Sequence, residues 1–263
     1  MKSEINQIAN KLVKAYNTNT FINPIPVKYC KNINLANKVR KLCEDKVSDE
    51  TIGIKAGGTG IQALKKLGEK EPFIAKIFKK RFLKSGQNVK IYKNTKGIEV
   101  EVYYLIKKSF FDFKGKVTKK NISKFIKFMG PCFEIVGFRQ RNKQFNYLGD
   151  ICSDFGFNIK FIVGKKIKFK KLNLNNLKTS LESKKNGLKV NGNTNIVYIN
   201  PLNCLRFVLN KVKKEKINLN KDFYVFTGST VGVVPFKGKD YTKVLLIKLA
   251  LLALISDNVT SLF

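Results

Sequence analysis

Residues 97–106 read Gly97-Ile98-Glu99-Val100-Glu101-Val102-Tyr103-Tyr104-Leu105-Ile106. Acidic and aliphatic residues alternate through the first half of this stretch. Alternation marks a strand with two unlike faces, because residues i and i+2 project to the same side. Glu99 and Glu101 therefore share a face, roughly 7 Å apart along the strand. Like charges so placed repel unless a cation or a proton lies between them. The stretch predicts a sheet that carries a metal site or an acid/base site on one face. The pair is conspicuous because the chain holds only 18 Asp and Glu against 52 Lys and Arg.

The net charge of +34 runs through the whole chain rather than through one tail. The skew toward Lys, Asn, Ile and Phe accompanies it, so we read the charge as a composition bias of the AT-rich kind. Binding to nucleic acid or to an anionic membrane is the competing reading, and no nucleic-acid motif supports it. The chain has no His. That removes imidazole as base or ligand, so a metal would be held mainly by oxygen. Cys30, Cys43, Cys132, Cys152 and Cys204 match no zinc spacing and are odd in number, which predicts reduced thiols and a cytoplasmic protein. The start, Met1-Lys2-Ser3-Glu4-Ile5, lacks the apolar region of a signal peptide. The apolar run from Val244 to Ile255 is interrupted by Lys248 and is too short for a membrane span. It reads as a buried strand or helix.

At 263 residues and 43% hydrophobic, the chain has ample material for a core. Helical spacing places Ile5, Ile8, Leu12 and Val13 on one face, and Ile33, Leu35, Ala36, Val39 and Leu42 on another. Asn23-Pro24-Ile25-Pro26 breaks between them. Residues 1–50 thus read as a helical lead-in to a single domain spanning 1–263. Ile52-Gly53-Ile54-Lys55-Ala56 reads as a strand that enters the turn Gly57-Gly58-Thr59-Gly60, followed by a short helix over 61–67. Further strands are expected at 89–92, 98–106, 132–138, 159–163, 166–169, 187–190, 194–198, 223–227 and 231–236. Turn signals such as Gly130-Pro131 and Asn191-Gly192 separate them. Asn200-Pro201 opens a helix to about 214, with Leu205, Val208, Leu209 and Val212 inward. The fold class is α+β.

Glu44, Asp45, Asp49, Glu50, Glu182 and Glu215 lie in polar contexts and read as surface residues. Glu134 sits instead between Pro131-Cys132-Phe133 and Ile135-Val136, and Asp150 and Asp154 flank Ile151-Cys152-Ser153. If Glu134 projects from a neighbouring strand toward Glu99 and Glu101, three carboxylates converge, a donor set suited to Mg²⁺ or Mn²⁺. Pairing of the same acids with lysines is the simpler alternative. Lys55, beside glycines, could act as a base, hold a carboxylate, or be one lysine among many. Gly57-Gly58-Thr59-Gly60 looks like a phosphate cradle but lacks a Walker Lys-Ser/Thr pair. Thr227-Gly228-Ser229-Thr230 is either a carboxylate-binding turn or a plain one. Arg139 and Arg141 either bind an acidic substrate or are solvated.

These segments, in this order, resemble the 2-keto-4-pentenoate hydratases of the fumarylacetoacetate hydrolase-like superfamily, a group that includes 4-oxalocrotonate decarboxylase. Gly53-Ile54-Lys55-Ala56-Gly57-Gly58-Thr59 looks like its G-x-K-x-G-x-T element. Leu67-Gly68 through Pro72 is similar to its L-G-x-x-x-P segment, and Glu99-Val100-Glu101 to its E-x-E pair. Pro131-Cys132-Phe133-Glu134-Ile135-Val136 resembles P-x-x-E-[IV]-V. Asp150 and Asp154 fit D-x-x-x-D, Asn200-Pro201-Leu202-Asn203 a helix start, and Thr227-Gly228-Ser229 a T-G-S/A turn. The similarity spans about residues 33–240.

The resemblance implies a mixed, barrel-like β-roll core, a homo-oligomer and a small 2-oxo acid substrate. It implies Mg²⁺ or Mn²⁺ on Glu99, Glu101 and Glu134, and Lys55 as the catalytic lysine. Thr59, Arg139, Thr227 and Ser229 are expected on the substrate side. The implied activity is addition of water to a 2-hydroxypenta-2,4-dienoate-type acid. Decarboxylation of a 2-oxo dicarboxylic acid such as 4-oxalocrotonate is the alternative, and a degenerate member acting as a basic binding protein is a second. The chain departs from the family pattern at two places. Phe73 stands where an acidic residue commonly follows the proline, and residues 247–251 lack the expected Gly-rich turn.

Overall fold

The computed structural model describes residues 2–169, 174–183, 188–236 and 244–246. Helix α1 (Lys2–Thr18) buries Ile5, Ile8, Ala9, Leu12 and Tyr16, the stripe its 3.6-residue spacing dictates. After the Pro24/Pro26 break come α2 (Lys28–Lys31) and α3 (Ile33–Asp45). Asn32 caps α3, its side-chain oxygen accepting from Asn34 N at 2.9 Å and Leu35 N at 3.2 Å. These helices pack together and onto Phe78 and Phe155.

The sheet elements follow: β1 (Thr51–Gly57), α4 (Ile61–Lys66), β2 (Phe73–Phe78), β3 (Phe82–Lys84), β4 (Asn88–Lys90), β5 (Thr95–Ile106) and β6 (Ile126–Gly137). Then come α5 (Leu148–Ser153), β7 (Asn158–Val163), β8 (Lys178–Ser183), β9 (Leu188–Asn193), α6 (Pro201–Lys214), β10 (Phe223–Ser229), β11 (Val234–Pro235) and β12 (Val244–Leu246). The main sheet runs β2-β1-β10-β5-β6-β7-β3, with β11 added on β5. It is mixed: β1 pairs parallel with β10, β3 parallel with β7, and the other neighbours are antiparallel. The sheet curls into a half-barrel, the α+β architecture expected.

Alternation sorts β5 into two faces. Ile98, Val100, Val102, Tyr104 and Ile106 face outward and are buried by α6 at one end and by the β8–β9 ribbon at the other. Leu205, Val208, Leu209 and Val212 form the inner stripe of α6, each contributing about 1.5–3 kcal/mol on burial. Asn200 caps that helix through Asn203 N at 2.8 Å, with Pro201 in its first turn. The inward face of β5 carries Glu99, Glu101 and Tyr103.

Several expectations change. Strand β2 directly follows Pro72, where no strand was expected, and β8 was likewise unforeseen. Strand β6 begins at Ile126, because Gly130-Pro131 lies inside the strand rather than at its start. A Cβ at Gly130 would lie 2.4 Å from the Lys165 carbonyl oxygen and against the Tyr103 ring, so the close approach explains the glycine. Residues 194–196 form a 3₁₀ turn, and 166–169 contribute only an Ile167–Met129 bridge. Glu44 and Glu215, expected at the surface, hold the buried Arg40 at 2.7 and 3.1 Å. All five cysteines are buried and free. Among the described residues, no helix is long and apolar enough to cross a membrane. Residues 247–251 lie outside the described residues.

Candidate metal centre

Glu99 and Glu134 are direct partners across β5 and β6, and Glu101 is opposite Cys132. The register therefore puts three carboxylates on one face. Oxygens of Glu99, Glu101 and Glu134 all lie within 4.8 Å of one another. Glu101 and Glu134 are buried, and Glu99 is partly open to solvent. From β1, Lys55 reaches the same face. Its Nζ donates to Glu134 Oε1 at 2.7 Å and to the Gly156 carbonyl at 2.6 Å. Glu101 Oε2 accepts from the backbone N–H of Gly228 at 2.8 Å.

Three carboxylates against one ammonium leave two negative charges unbalanced if all are ionised. The titration behaviour reflects that. Burial, then the charge of Glu134, pushes Glu99 up to about 7. Burial together with Glu134 and Glu99 raises Glu101. Burial raises Glu134 too, although Lys55 opposes it. Burial acts to lower Lys55, but the surrounding carboxylates outweigh it and hold the lysine protonated. Glu134 Oε2 is buried with no hydrogen-bond partner, a costly state for a carboxylate oxygen. A divalent cation fits this arrangement: it would satisfy that oxygen and offset both excess charges, and the donors are the hard oxygens that Mg²⁺ and Mn²⁺ prefer.

The other expected site residues are placed differently from one another. Thr59 is buried against Gly228: a Cβ on Gly228, whose φ is +103°, would stand 1.9 Å from Thr59 Oγ1. Ser229 pairs with Glu101 across β10 and β5, and its hydroxyl donates to the Gly232 carbonyl at 2.9 Å. The Thr227 hydroxyl is spent on the Val102 carbonyl at 2.7 Å, so at this turn the backbone of Gly228 faces the carboxylates instead. Arg139 is fully buried and paired with Asp154 at 2.9 Å. Its guanidinium packs beside the Tyr16 and Phe155 rings. The structure thus uses Arg139 in an internal ion pair rather than as a free cation for an acidic substrate. Asp150 caps α5, accepting from Asn146 N and Tyr147 N at 3.0 and 2.9 Å.

Two contributors escape a reading by residue type, because they are backbone atoms: Gly228 N–H and the Gly156 carbonyl. Phe73 was visible in the sequence as a departure. It pairs with Gly57, two residues along β1 from Lys55. Its ring covers Gly57, and a Cβ at Gly156 would meet both Lys55 Cε at 2.9 Å and Phe73 Cε2 at 3.1 Å. An apolar wall therefore stands beside the lysine. Glu71, the nearest acid in sequence, lies at the surface, 3.8 Å from Lys211.

No protein-family model matches the chain, and no curated protein matches it. Among solved structures it is similar to 4-oxalocrotonate decarboxylase from Pseudomonas putida G7 complexed with magnesium and adipate. The TM-score is 0.74 at 16% identity, over 90% of this chain and 90% of that one. The same enzyme complexed with calcium and acetate gives the same figures. At that identity the likeness speaks to architecture: this chain has the curled mixed-sheet fold of the fumarylacetoacetate hydrolase type.

Proposed function

We propose that the protein is a divalent-metal-dependent lyase acting on a small 2-oxo acid, and that its reaction is decarboxylation of a 2-oxo-enedioic acid of the 4-oxalocrotonate kind. The observation that carries this reading is the convergence of Glu99, Glu101 and Glu134, with an orphaned Glu134 oxygen, against the protonated Lys55. Mg²⁺ or Mn²⁺ held by the three carboxylates would supply Lewis-acid polarisation of the substrate's 2-oxo group. Lys55 holds a proton beside that position. As the C–C bond to the departing carboxylate breaks, the electron pair flows through the conjugated system to the 2-oxo oxygen. CO₂ leaves and a dienolate remains, which the Lys55 ammonium can protonate. The Gly228 N–H and Ser229 border Glu101, Thr59 packs against Gly228, and together they form the substrate side.

Hydration of a 2-hydroxypenta-2,4-dienoate-type acid is the second reading, and it rests on the same electron sink. It also requires a group to activate the added water. The position beside Lys55 that the family resemblance would fill with an acid holds the Phe73 ring, which favours decarboxylation. The fold shared with a decarboxylase supports the same choice.

The test is incubation of purified protein with Mn²⁺ or Mg²⁺ and 2-oxo-3-hexenedioate, following CO₂ release and dienol absorbance. A parallel reaction supplies 2-hydroxypenta-2,4-dienoate and follows its loss. We expect CO₂ release that EDTA abolishes. Loss of dienol without CO₂ release from the diacid would favour the hydratase, and inactivity on both substrates would sink the lyase reading.

A further inference from the structure

Phe155, Gly156 and Phe157 have φ of +53°, +64° and +64°. Left-handed backbone is unremarkable at the glycine but strained at each phenylalanine. Such a turn persists only where its surroundings over-determine it. Here Arg139 grips both ends. Its backbone N–H donates to Asp154 Oδ2 at 2.7 Å, and its Nη1 donates to Asp154 Oδ1 at 2.9 Å and to the Asp154 carbonyl at 3.2 Å. Its Nη2 donates to the Asn158 carbonyl, beyond the other end. Arg139 and Asp154 are both fully buried. The Phe155 ring stacks on Tyr16 of α1 at 4.3 Å between centroids, and Tyr16 lies between Arg81 and Arg139, 4.2 and 5.0 Å from its ring.

The product of this clamp is one carbonyl. Gly156 O points at Lys55 Nζ, 2.6 Å away, on the side of the ammonium not taken by Glu134. A carbonyl there locates the amine without adding charge to a centre already rich in carboxylates. The space is exact enough that a methyl group on Gly156 would press on Lys55 Cε. We propose that Arg139 is a positioning residue: through Asp154 and Asn158 it holds the Phe155–Phe157 turn so that the Gly156 carbonyl fixes the Lys55 ammonium beside Glu134. This rests on the reading of Lys55 as the proton-transfer group.

Two full-length variants test it by different routes. Arg139→Lys keeps a charge but cannot span Asp154 and Asn158 with a rigid fork. Gly156→Ala keeps the clamp and displaces the lysine. We expect each to bind Mn²⁺ and substrate within about 3-fold of the parent, judged by calorimetric Kd and by KM, while kcat falls at least 10-fold. Misplacement of a reacting group by about 1 Å costs on the order of 100-fold. A lowered unfolding midpoint with unchanged kcat for both variants would make the clamp structural only and overturn the proposal. A readout independent of turnover is the crystal structure of either variant with Mn²⁺. Lys55 Nζ withdrawn from Glu134 supports the assignment, and Lys55 unmoved in both refutes it. Should the parent itself decarboxylate nothing, the functional reading fails while this structural readout still decides the positioning claim.

Discussion

Glu99 and Glu134 stand directly opposite each other on the antiparallel strands β5 and β6. Cross-strand partners hold their Cβ atoms about 4.5–5.5 Å apart, so these two acids form a repulsive pair by construction. Glu101 adds a third on the same face, and Lys55 offsets only one charge. A sheet that spends three of its chain's few acids in this way gains nothing in stability from them. Their placement makes sense as a seat for a cation.

Loss of Glu134 should therefore have two separable effects. Glu134→Ala removes a metal donor and the one carboxylate that pairs directly with the buried Lys55 ammonium. Breaking a buried pair on one side costs about 3–5 kcal/mol. Denaturant unfolding should show that loss, and Mn²⁺ affinity by calorimetry should drop by about 100-fold or more. Affinity equal to the parent's would remove Glu134 from the ligand set.

The metal-free protein should lose stability as pH rises from about 4.3 to about 7. In that window Glu99 keeps its proton in the folded state, whereas the unfolded chain has released it. The folded state then binds more protons, so unfolding free energy falls with pH. Cation binding requires the carboxylates ionised, so Mn²⁺ affinity should climb over the same range and binding should release protons. Urea midpoints at pH 5, 6 and 7.5, with EDTA or with Mn²⁺, measure both trends. A Glu99→Gln variant should remove the Glu99 part of the slope; an unaltered slope would place the titration elsewhere.

Lys55→Met should uncouple binding from chemistry. The variant retains all three carboxylates and loses the opposing charge, so Mn²⁺ should bind at least as tightly as to the parent. Turnover should fall by about 10²–10⁴-fold, the range expected for loss of a positioned proton-transfer group. Full activity in this variant would exclude the lysine from the reaction.

Gly228→Ala should damage the centre from the β10 side. Its φ of +103° is unfavourable for any residue with a Cβ, and the added methyl would collide with Thr59. The N–H that Glu101 accepts would shift with it. Expected outcomes are weaker Mn²⁺ binding and a raised KM, both read from steady-state titrations. Thr59→Gly in the same chain removes the collision but not the φ penalty, so it should recover part of the loss.

The sequence made the acidic strand face legible, because alternation alone sorts Glu99 and Glu101 from Val100 and Val102. The surroundings of Glu134 pointed to the neighbouring strand for a similar reason. Other features were hidden. Pro131 looked like a boundary yet lies within β6, where the neighbouring Gly130 permits close backbone approach. Thr227 looked like a residue lining the substrate site, but its hydroxyl donates to the Val102 carbonyl, beside the register shift in β10 between Phe226 and Ser229. Arg139 looked like a cation for an acidic substrate or a solvated one, and Glu44 like a surface residue, because residue type and spacing do not show that Arg139 is buried against Asp154 or that Glu44 is buried against Arg40. Gly156 and Gly228 act through main-chain atoms, for which no side chain gives notice.

Tyr16 has a further consequence, for the order in which the molecule is made. The ring that stacks on Phe155 belongs to the first helix, and the residues it meets are Phe78 of β2, Arg81 just after that strand, Arg139 just past β6 and Phe155 in the turn before β7. Contacts of such sequence separation carry a loop-closure cost, as does the β1–β10 pairing of the sheet itself. The first helix packs directly on the turn that carries the lysine's carbonyl partner. Recovery of function after dilution from denaturant should be complete only once Tyr16 is buried, as stopped-flow fluorescence of the tyrosines beside a turnover assay would register. A chain shortened before β1 would still carry its carboxylates but would leave the Phe155 ring, next to the lysine's carbonyl partner, without the aromatic cover of Tyr16.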